Sequence, residues 1–355
     1  MRNNNFNFIR ILAACFVMAG HMSATMGIAV PYLGSQRIEL IGVQILFIMG
    51  GYLVAKSWNR DPHVGRFLLR RFLRLWPPFA VMVIIMCFVS GPLLSSLGVQ
   101  GYYASWWIAW LKNLRFYTVF AQPGVFENHP MPLVTNGSIW TMPVEAAAYL
   151  FAPIVMLAFA GREKKPLVKT GVILAVMIVP DLILTVNPAQ QFVFYGTDWI
   201  AGYHLIVYFV IGIFCSFDSL KPWFRLQAAP IAIFLILLTT MFTHARWQQV
   251  VWLTCLPYLI FSFALAEKPL FSKLGNRLEL SYGIYLYGFF FQQLVVMWNQ
   301  TYKLQWNYMI CLGVSMLLSS GAAILNCVLV ENPLQKLSRK LTSAWKNRDT
   351  ALSDI

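Results

Sequence analysis

The sequence predicts an all-α polytopic membrane protein with about ten transmembrane helices and both termini in the cytoplasm. Three observations carry that expectation. Hydrophobic residues make up 59% of the 355 and charged residues only 11%, against about 25% charged in a soluble domain. The apolar residues gather in ten runs of about 18 to 23 residues, the length a helix needs to cross hydrocarbon. These runs lie near 8–28, 38–57, 75–97, 138–160, 166–186, 199–217, 226–243, 248–266, 280–298 and 307–329. The cations between the runs then alternate by loop. Of the 27 lysines and arginines, five (Arg37, Lys112, Arg115, Arg246 and Lys303) fall on one side and all the others fall on the opposite side. The positive-inside rule makes the richer side cytoplasmic.

That alternation accounts for the net charge of +14 as topology and leaves no case for nucleic acid. Membrane lipids are the expected surroundings. All six cysteines lie inside the runs, with no C-x-x-C and no zinc spacing, so they read as small packing residues and no metal site is expected. Residues 1–335 read as one membrane domain and 336–355 as a basic cytoplasmic tail.

The first run carries Arg10 near its start and His21 deep inside. Eleven residues at 100° each come to within about 20° of three full turns, so both side chains share one helix face, about 16 Å apart along the axis. Ionisable groups inside a bilayer are costly and count as functional candidates. The second run contains Gly50-Gly51, read as tight helix packing or a kink against a binding role, and Gln44, which should face the bundle interior.

The loop that follows carries Arg66, Arg70 and Arg74 at spacing four, plus Arg71, ahead of Trp76-Pro77-Pro78 at the opening of the third helix. Two readings compete: a topology signal touching anionic lipid, or an anion site using the planar arginine fork. The long segment 98–137 is dense in aromatics such as Tyr102, Trp106, Trp107 and Trp110. It reads as an interfacial helix with an aromatic belt or as a surface for sugar rings.

The fourth run opens at Ser138, a candidate N-cap, and holds Glu145, about 10 Å in by helical rise. His21 arrives at a similar depth from the other side. Their pairing predicts either a carboxylate that orients and supports the imidazole or a buried structural ion pair. Farther on come Asp181, Asp198 and His204, the last read as a helix-contact histidine or as lining the same cavity as His21 and Glu145. The ninth run holds Ser281 to Tyr287, then Gln292 and Gln293, and the tenth ends at Val330-Glu331-Asn332-Pro333.

Taken in order, these stretches resemble the acyltransferase-3 family of bacterial integral-membrane O-acyltransferases, the polysaccharide O-acetyltransferase type. Arg10-x10-His21 resembles its helix-one motif, Phe47 to Leu53 its F-x-x-S-G-[FY]-L segment and Arg71-Phe72-Leu73-Arg74 its R-x-x-R. Ser138 to Glu145, Ser281 to Leu286 and Val330 to Pro333 are similar to three more of its motifs. The chain departs from the pattern at Gly50, where serine is usual, and at Gly288, where many members have a second histidine.

The resemblance implies a location in the bacterial cytoplasmic (inner) membrane and acetyl-CoA as donor, with no permanently bound cofactor. It implies that His21 is central to transfer and that Arg10, Arg71 and Arg74 handle the CoA phosphates. The acceptor would be a hydroxyl of a cell-surface or lipid-linked glycan, including a polyprenyl-linked sugar. His21 would act as general base or as nucleophile, with Glu145 orienting it. Succinyl-CoA is the alternative donor. A proton-coupled transporter or lipid-linked sugar flippase, with His21 and Glu145 as relay, is the alternative function.

Overall fold

In the computed structural model, residues 4–159, 166–184, 191–271 and 279–353 are described. Arg2, Arg162, Lys164, Lys165, Lys273 and Arg277, which enter the charge alternation, lie outside them. Each apolar run contains a helix: α1 Phe6–Thr25, α2 Ile38–Trp58, α3 Val64–Ile85, α4 Thr141–Phe159, α5 Pro166–Leu184, α6 Trp199–Cys215, α7 Ala229–Leu238, α8 Ala245–Ala264, α9 Ser281–Thr301 and α10 Tyr308–Asn326. A further helix, α11, covers Asn332–Ser353. Among the described residues, sheet is confined to two short hairpins, β1 Tyr32–Leu33 with β2 Gln36–Arg37 and β3 Val193–Phe194 with β4 Thr197–Asp198.

Among the described residues, six helical stretches are long and apolar enough to cross a membrane, those of α1, α2, α3, α4, α5 and α10. α6 and α7 are apolar but shorter. α8 and α9 have the length, but glutamines and other polar side chains dilute them; Gln249, Gln292 and Gln293 are buried within the bundle.

Small residues set how closely the helices pack. A Cβ on Gly42 would strike the Ala13 carbonyl and Val17 of α1, and one on Gly51 would strike the Phe209 backbone of α6. Gly51 is therefore a packing glycine, as small residues at membrane helix crossings usually are. Gly50 beside it has only the Phe209 ring in ordinary contact, at 3.7 Å.

α3 differs from expectation at its start. It begins at Val64, so Pro77 and Pro78 lie inside it and the arginines ride on its first three turns. His63 caps that end, its Nδ1 accepting from Arg66 N at 3.2 Å. The ends of α1, α2 and α3 that meet here form the basic face. The tail packs on the same arm: α11 continues α10 through a π turn at Cys327–Glu331, and Trp345 meets His63 edge-on with ring centroids 5.2 Å apart.

The segment between α3 and α4 also departs from a simple interfacial helix. It has two short helices, Gly91–Leu94 and Gly98–Tyr103, and a 3₁₀ stretch, Trp107–Arg115. Tyr102 and Trp110 are fully buried, bonded to the Cys87 and Val83 carbonyls at 3.0 and 3.1 Å. Trp106 and Ile108 keep outward exposure.

Beyond that, the chain dips into the bundle. His129 bonds Gln293 Oε1 at 2.9 Å, and Asn136 donates to the Leu286 carbonyl at 2.8 Å. Asn136 rather than Ser138 is the capping residue, its Oδ1 accepting from Ser138 N at 3.1 Å. Irregular backbone is tolerated at membrane depth when protein surrounds it, and Gln293 and Asn136 supply the bonds that hold it.

Candidate active site

The arginine arm of α3 divides by helical spacing. Arg66 and Arg70, one turn apart, both turn to Asp61, at 2.7 and 2.5 Å. Arg66 also binds Asp349 of α11. Hydrogen bonds from Arg66 pull the Asp61 carboxyl down to about 2, with Arg70 adding to the effect. Arg66 thus holds the tail, while Arg70 helps fix the Asp61 carboxylate beside it. Arg71 and Arg74, on the adjacent face, line a cavity instead.

That cavity measures about 460 Å³, within the roughly 300 to 1,000 Å³ usual for small-molecule sites. Arg10, Arg60, Arg71, Arg74 and Glu279 surround its basic end, and Thr141, Glu145 and Tyr285 stand farther in. On α2 the lining runs from Ser57 to Val43, about 21 Å of helix rise. Glu279 bridges two of the cations, at 2.7 Å from Arg74 and 3.4 Å from Arg10. Arg74's charge, with Arg10 behind it, pulls the Glu279 carboxyl down to about 2 against its burial.

Arg71 is different. It lies over the rings of Phe67 and Tyr149, at 5.5 and 5.6 Å, and forms no ion pair among the described residues. Its Nε is buried without a hydrogen-bond partner. An anion entering the cavity therefore finds Arg71 and Arg60 without a carboxylate among the described residues, and two others shared by a single carboxylate.

Four of the five sequence candidates, Arg10, Arg71, Arg74 and Glu145, line this one cavity. His21 does not. Its ring stands edge-on to Phe289 of α9, centroids 5.2 Å apart, and Arg10 reaches toward Glu279 just before α9, so the pair shares a helix face as the spacing implied. The α1–α2 register sets the height of His21. Gly42 faces Ala13 and Val17, and Gly20 faces Glu39, which puts Val43 about level with Phe16. His21 is thus about 7 Å of helix rise beyond the deepest α2 residue of the cavity.

The expected His21–Glu145 pairing is corrected by this geometry: no hydrogen bond or ion pair joins them among the described residues. Glu145 accepts from Tyr149 Oη at 2.5 Å instead, on the side of the arginines. The cause is the inward dip before α4. Ser138 and Thr141 already lie beside Tyr285, whose hydroxyl is 2.7 Å from Thr141 Oγ1, so Glu145 starts from inside the bundle and lands nearer the basic face.

Sequence reasoning missed Glu279, Tyr149 and Arg60. Glu279 stood in plain view, two residues before the Ser281 motif, and its value depended on knowing that α3 begins at Val64. Tyr149 is one turn after Glu145, the spacing at which helix side chains meet. Gly288 has Met18 of α1 packed against it, so thioether fills the place where the resemblance expects a second histidine.

The match to known proteins agrees with this layout. A family model described as an acyltransferase domain covers residues 3–325. An O-acetyl transferase of Shigella phage Sf6 is 25% identical over 83% of this chain and 86% of its own length. Nodulation protein 10 of Rhizobium leguminosarum is 28% identical over 43% of this chain and 44% of its own. The peptidoglycan O-acetyltransferase OatA of Listeria monocytogenes is 24% identical over 54% of this chain and 30% of its own. No solved structure matches. With the domain model spanning nearly the whole membrane bundle, the chain belongs to the acyltransferase-3 family and is an acyltransferase.

Proposed function

We propose that the protein is an O-acetyltransferase of the bacterial cytoplasmic membrane, both termini inside, that moves acetyl from acetyl-CoA to a hydroxyl of a cell-surface or lipid-linked glycan. The observation that carries this reading is Arg71, a guanidinium without an anionic partner in a long cavity that leads inward from the basic face. Phosphates of CoA would meet Arg71 first and share Arg10 and Arg74 with Glu279. Planar guanidinium forks suit that task better than ammonium groups. The pantetheine arm would lie along α2 beside Gly50, where the absence of a side chain leaves room.

In the chemical step, His21 accepts the proton of the sugar hydroxyl as the oxygen attacks the thioester carbonyl, the C–S bond breaks, and CoA leaves as its thiol after taking a proton. An acyl-histidine intermediate reaches the same products in two steps. Either route requires the acyl end to advance past the present end of the cavity to His21. Glu145, bonded to Tyr149, would work on the donor side. A transporter would need His21 and Glu145 in one proton relay, and they do not touch.

The deciding assay is release of free CoA by purified protein given acetyl-CoA and an acceptor glycan, with the product weighed by mass spectrometry. A 42 Da gain corresponds to acetyl and one of about 100 Da to succinyl. Release of CoA only with acceptor supports transfer. No release from either donor, alongside substrate movement into liposomes, favours transport.

A further inference from the structure

A second cavity, of about 410 Å³, lies at the end of the bundle opposite the arginines. It is walled by β1–β2, α2, the start of α6 and the first turns of α8. At its floor, His204 Nδ1 is 2.9 Å from Asp181 Oδ2, and Asp181 is completely buried. Gln249 donates to the same carboxylate at 2.6 Å. On the other side of the ring, His204 Nε2 lies 3.4 Å from Gln44 Nε2.

The charged groups here are already engaged. Arg37 pairs with Glu39 at 2.5 Å, Asp198 Oδ1 caps α6 by accepting from Ile200 N at 3.0 Å, and Asp181 holds His204. With Nδ1–H given to Asp181, the free imidazole position is an acceptor, and the Gln44 amide fills it. Gln44 Oε1 then remains: the residue is only 3% exposed, and this oxygen has no hydrogen-bond partner. A buried acceptor left alone costs about 1 to 3 kcal/mol, so a donor from outside is expected to meet it. Trp140 and Tyr32 add aromatic faces to the wall.

We propose that this far-side cavity is the acceptor subsite and that it takes a neutral sugar, holding a hydroxyl on Gln44 Oε1 with His204 and Asp181 as positioning residues. The chemistry selects the class. A free acceptor with every neighbouring charged group engaged welcomes an O–H donor and offers nothing to phosphate or carboxylate, which bring acceptors of their own. Apolar ring faces of a sugar suit the indole and phenol walls. Arg37 and Glu39 connect the cavity to the catalytic histidine, since Glu39 packs against Gly20, the residue before His21. The proposal rests on the acyl-transfer reading for the fate of the sugar but not for its binding.

The test separates the two. Wild-type protein in nanodiscs, without acetyl-CoA, is titrated by saturation-transfer NMR with methyl glycosides of glucose, rhamnose and N-acetylglucosamine, and with glucuronate and glucose 1-phosphate. At least one neutral glycoside should bind, the anions should not, and Gln44→Leu should weaken binding at least tenfold. Tyr32→Ala, at a residue 65% exposed, guards against a folding failure of the first variant and should weaken binding severalfold. Anions binding as well as neutral sugars, no neutral glycoside binding, or binding untouched by both variants would overturn the subsite. Sugar binding in a protein that never releases CoA would uphold the subsite and sink the acyl-transfer reading.

Discussion

Arg74 lies 2.7 Å from Glu279, while Arg71, three residues earlier on α3, forms no ion pair among the described residues. One arginine is held in place by a carboxylate and the other is left for a ligand. In a protein interior this asymmetry has a cost, because a desolvated cation without an anion is disfavoured. Stacking between Phe67 and Tyr149 offsets part of it.

The first prediction follows from that difference. Arg71→Lys keeps the charge and loses the fork, so KM for acetyl-CoA should rise about tenfold, the effect of one charge-assisted hydrogen bond of about 1.5 to 3 kcal/mol partly replaced. Arg66→Lys, at a residue committed to Asp61 and Asp349, should leave KM unchanged and lower the melting temperature. Equal KM shifts in both variants would mean that the whole arm, not one arginine, attracts the donor.

His21→Ala should reduce turnover by about 10² to 10⁴, the usual contribution of a positioned base, or more if the residue is the nucleophile. Acetyl-CoA affinity should be unaltered, because His21 stands beyond the donor cavity. Isothermal titration with acetyl-CoA beside the turnover assay checks both halves. Weakened donor binding in this variant would place the histidine in a binding role instead.

How much of this was legible in the sequence depends on the physics each feature obeys. Helices announce themselves by apolar length, and each run contains one. The Arg10–His21 alignment is set by local helix geometry, and His21 meets Phe289 of α9 while Arg10 meets Glu279 just before it. The His21–Glu145 pairing failed because depth was counted from a helix start assumed to lie at the membrane surface. Residues 129–136 instead enter the bundle on hydrogen bonds to Gln293 and Leu286, contacts separated by 150 positions or more that no local pattern encodes. The division of labour among Arg66, Arg70, Arg71 and Arg74 was likewise hidden, since it turns on Asp61 and on a tail helix folded back from the far end of the chain.

Asp61 gives a pH prediction. Its carboxyl titrates near 2 when folded and near 3.9 when unfolded, so the folded state binds fewer protons. Its contribution is complete above about pH 4 and is lost as the pH falls toward 2. The difference in melting temperature between wild type and Asp61→Asn should be constant from pH 7 to 4 and shrink below that. Because Arg66 also holds Asp349, Asp61→Asn should loosen α11, read as faster proteolysis within 336–353. A melting-temperature difference that does not change with pH would mean that Asp61 stabilises by its shape and not by its charge.

The last prediction concerns Glu145 and Tyr149, which share a 2.5 Å hydrogen bond on the cavity wall beside Arg71. If Glu145 acted on His21, Glu145→Gln would lower turnover and leave donor affinity alone. Placed on the donor side, it should do both: turnover falls, and the Kd for acetyl-CoA changes severalfold because Glu145 lines the same cavity as Arg71. Tyr149→Phe removes the same hydrogen bond from the other end and should move Kd in the same direction by a smaller factor. Residues joined by one bond give non-additive effects, with coupling energies of about 0.5 to 3 kcal/mol, so the double variant should resemble Glu145→Gln more than the product of the two. Melting temperatures measured on the same samples separate this from simple loss of packing. Additive effects on Kd, or an unchanged Kd in Glu145→Gln with reduced turnover, would return Glu145 to the histidine and require the bundle to rearrange by about a helical turn before the acyl group moves.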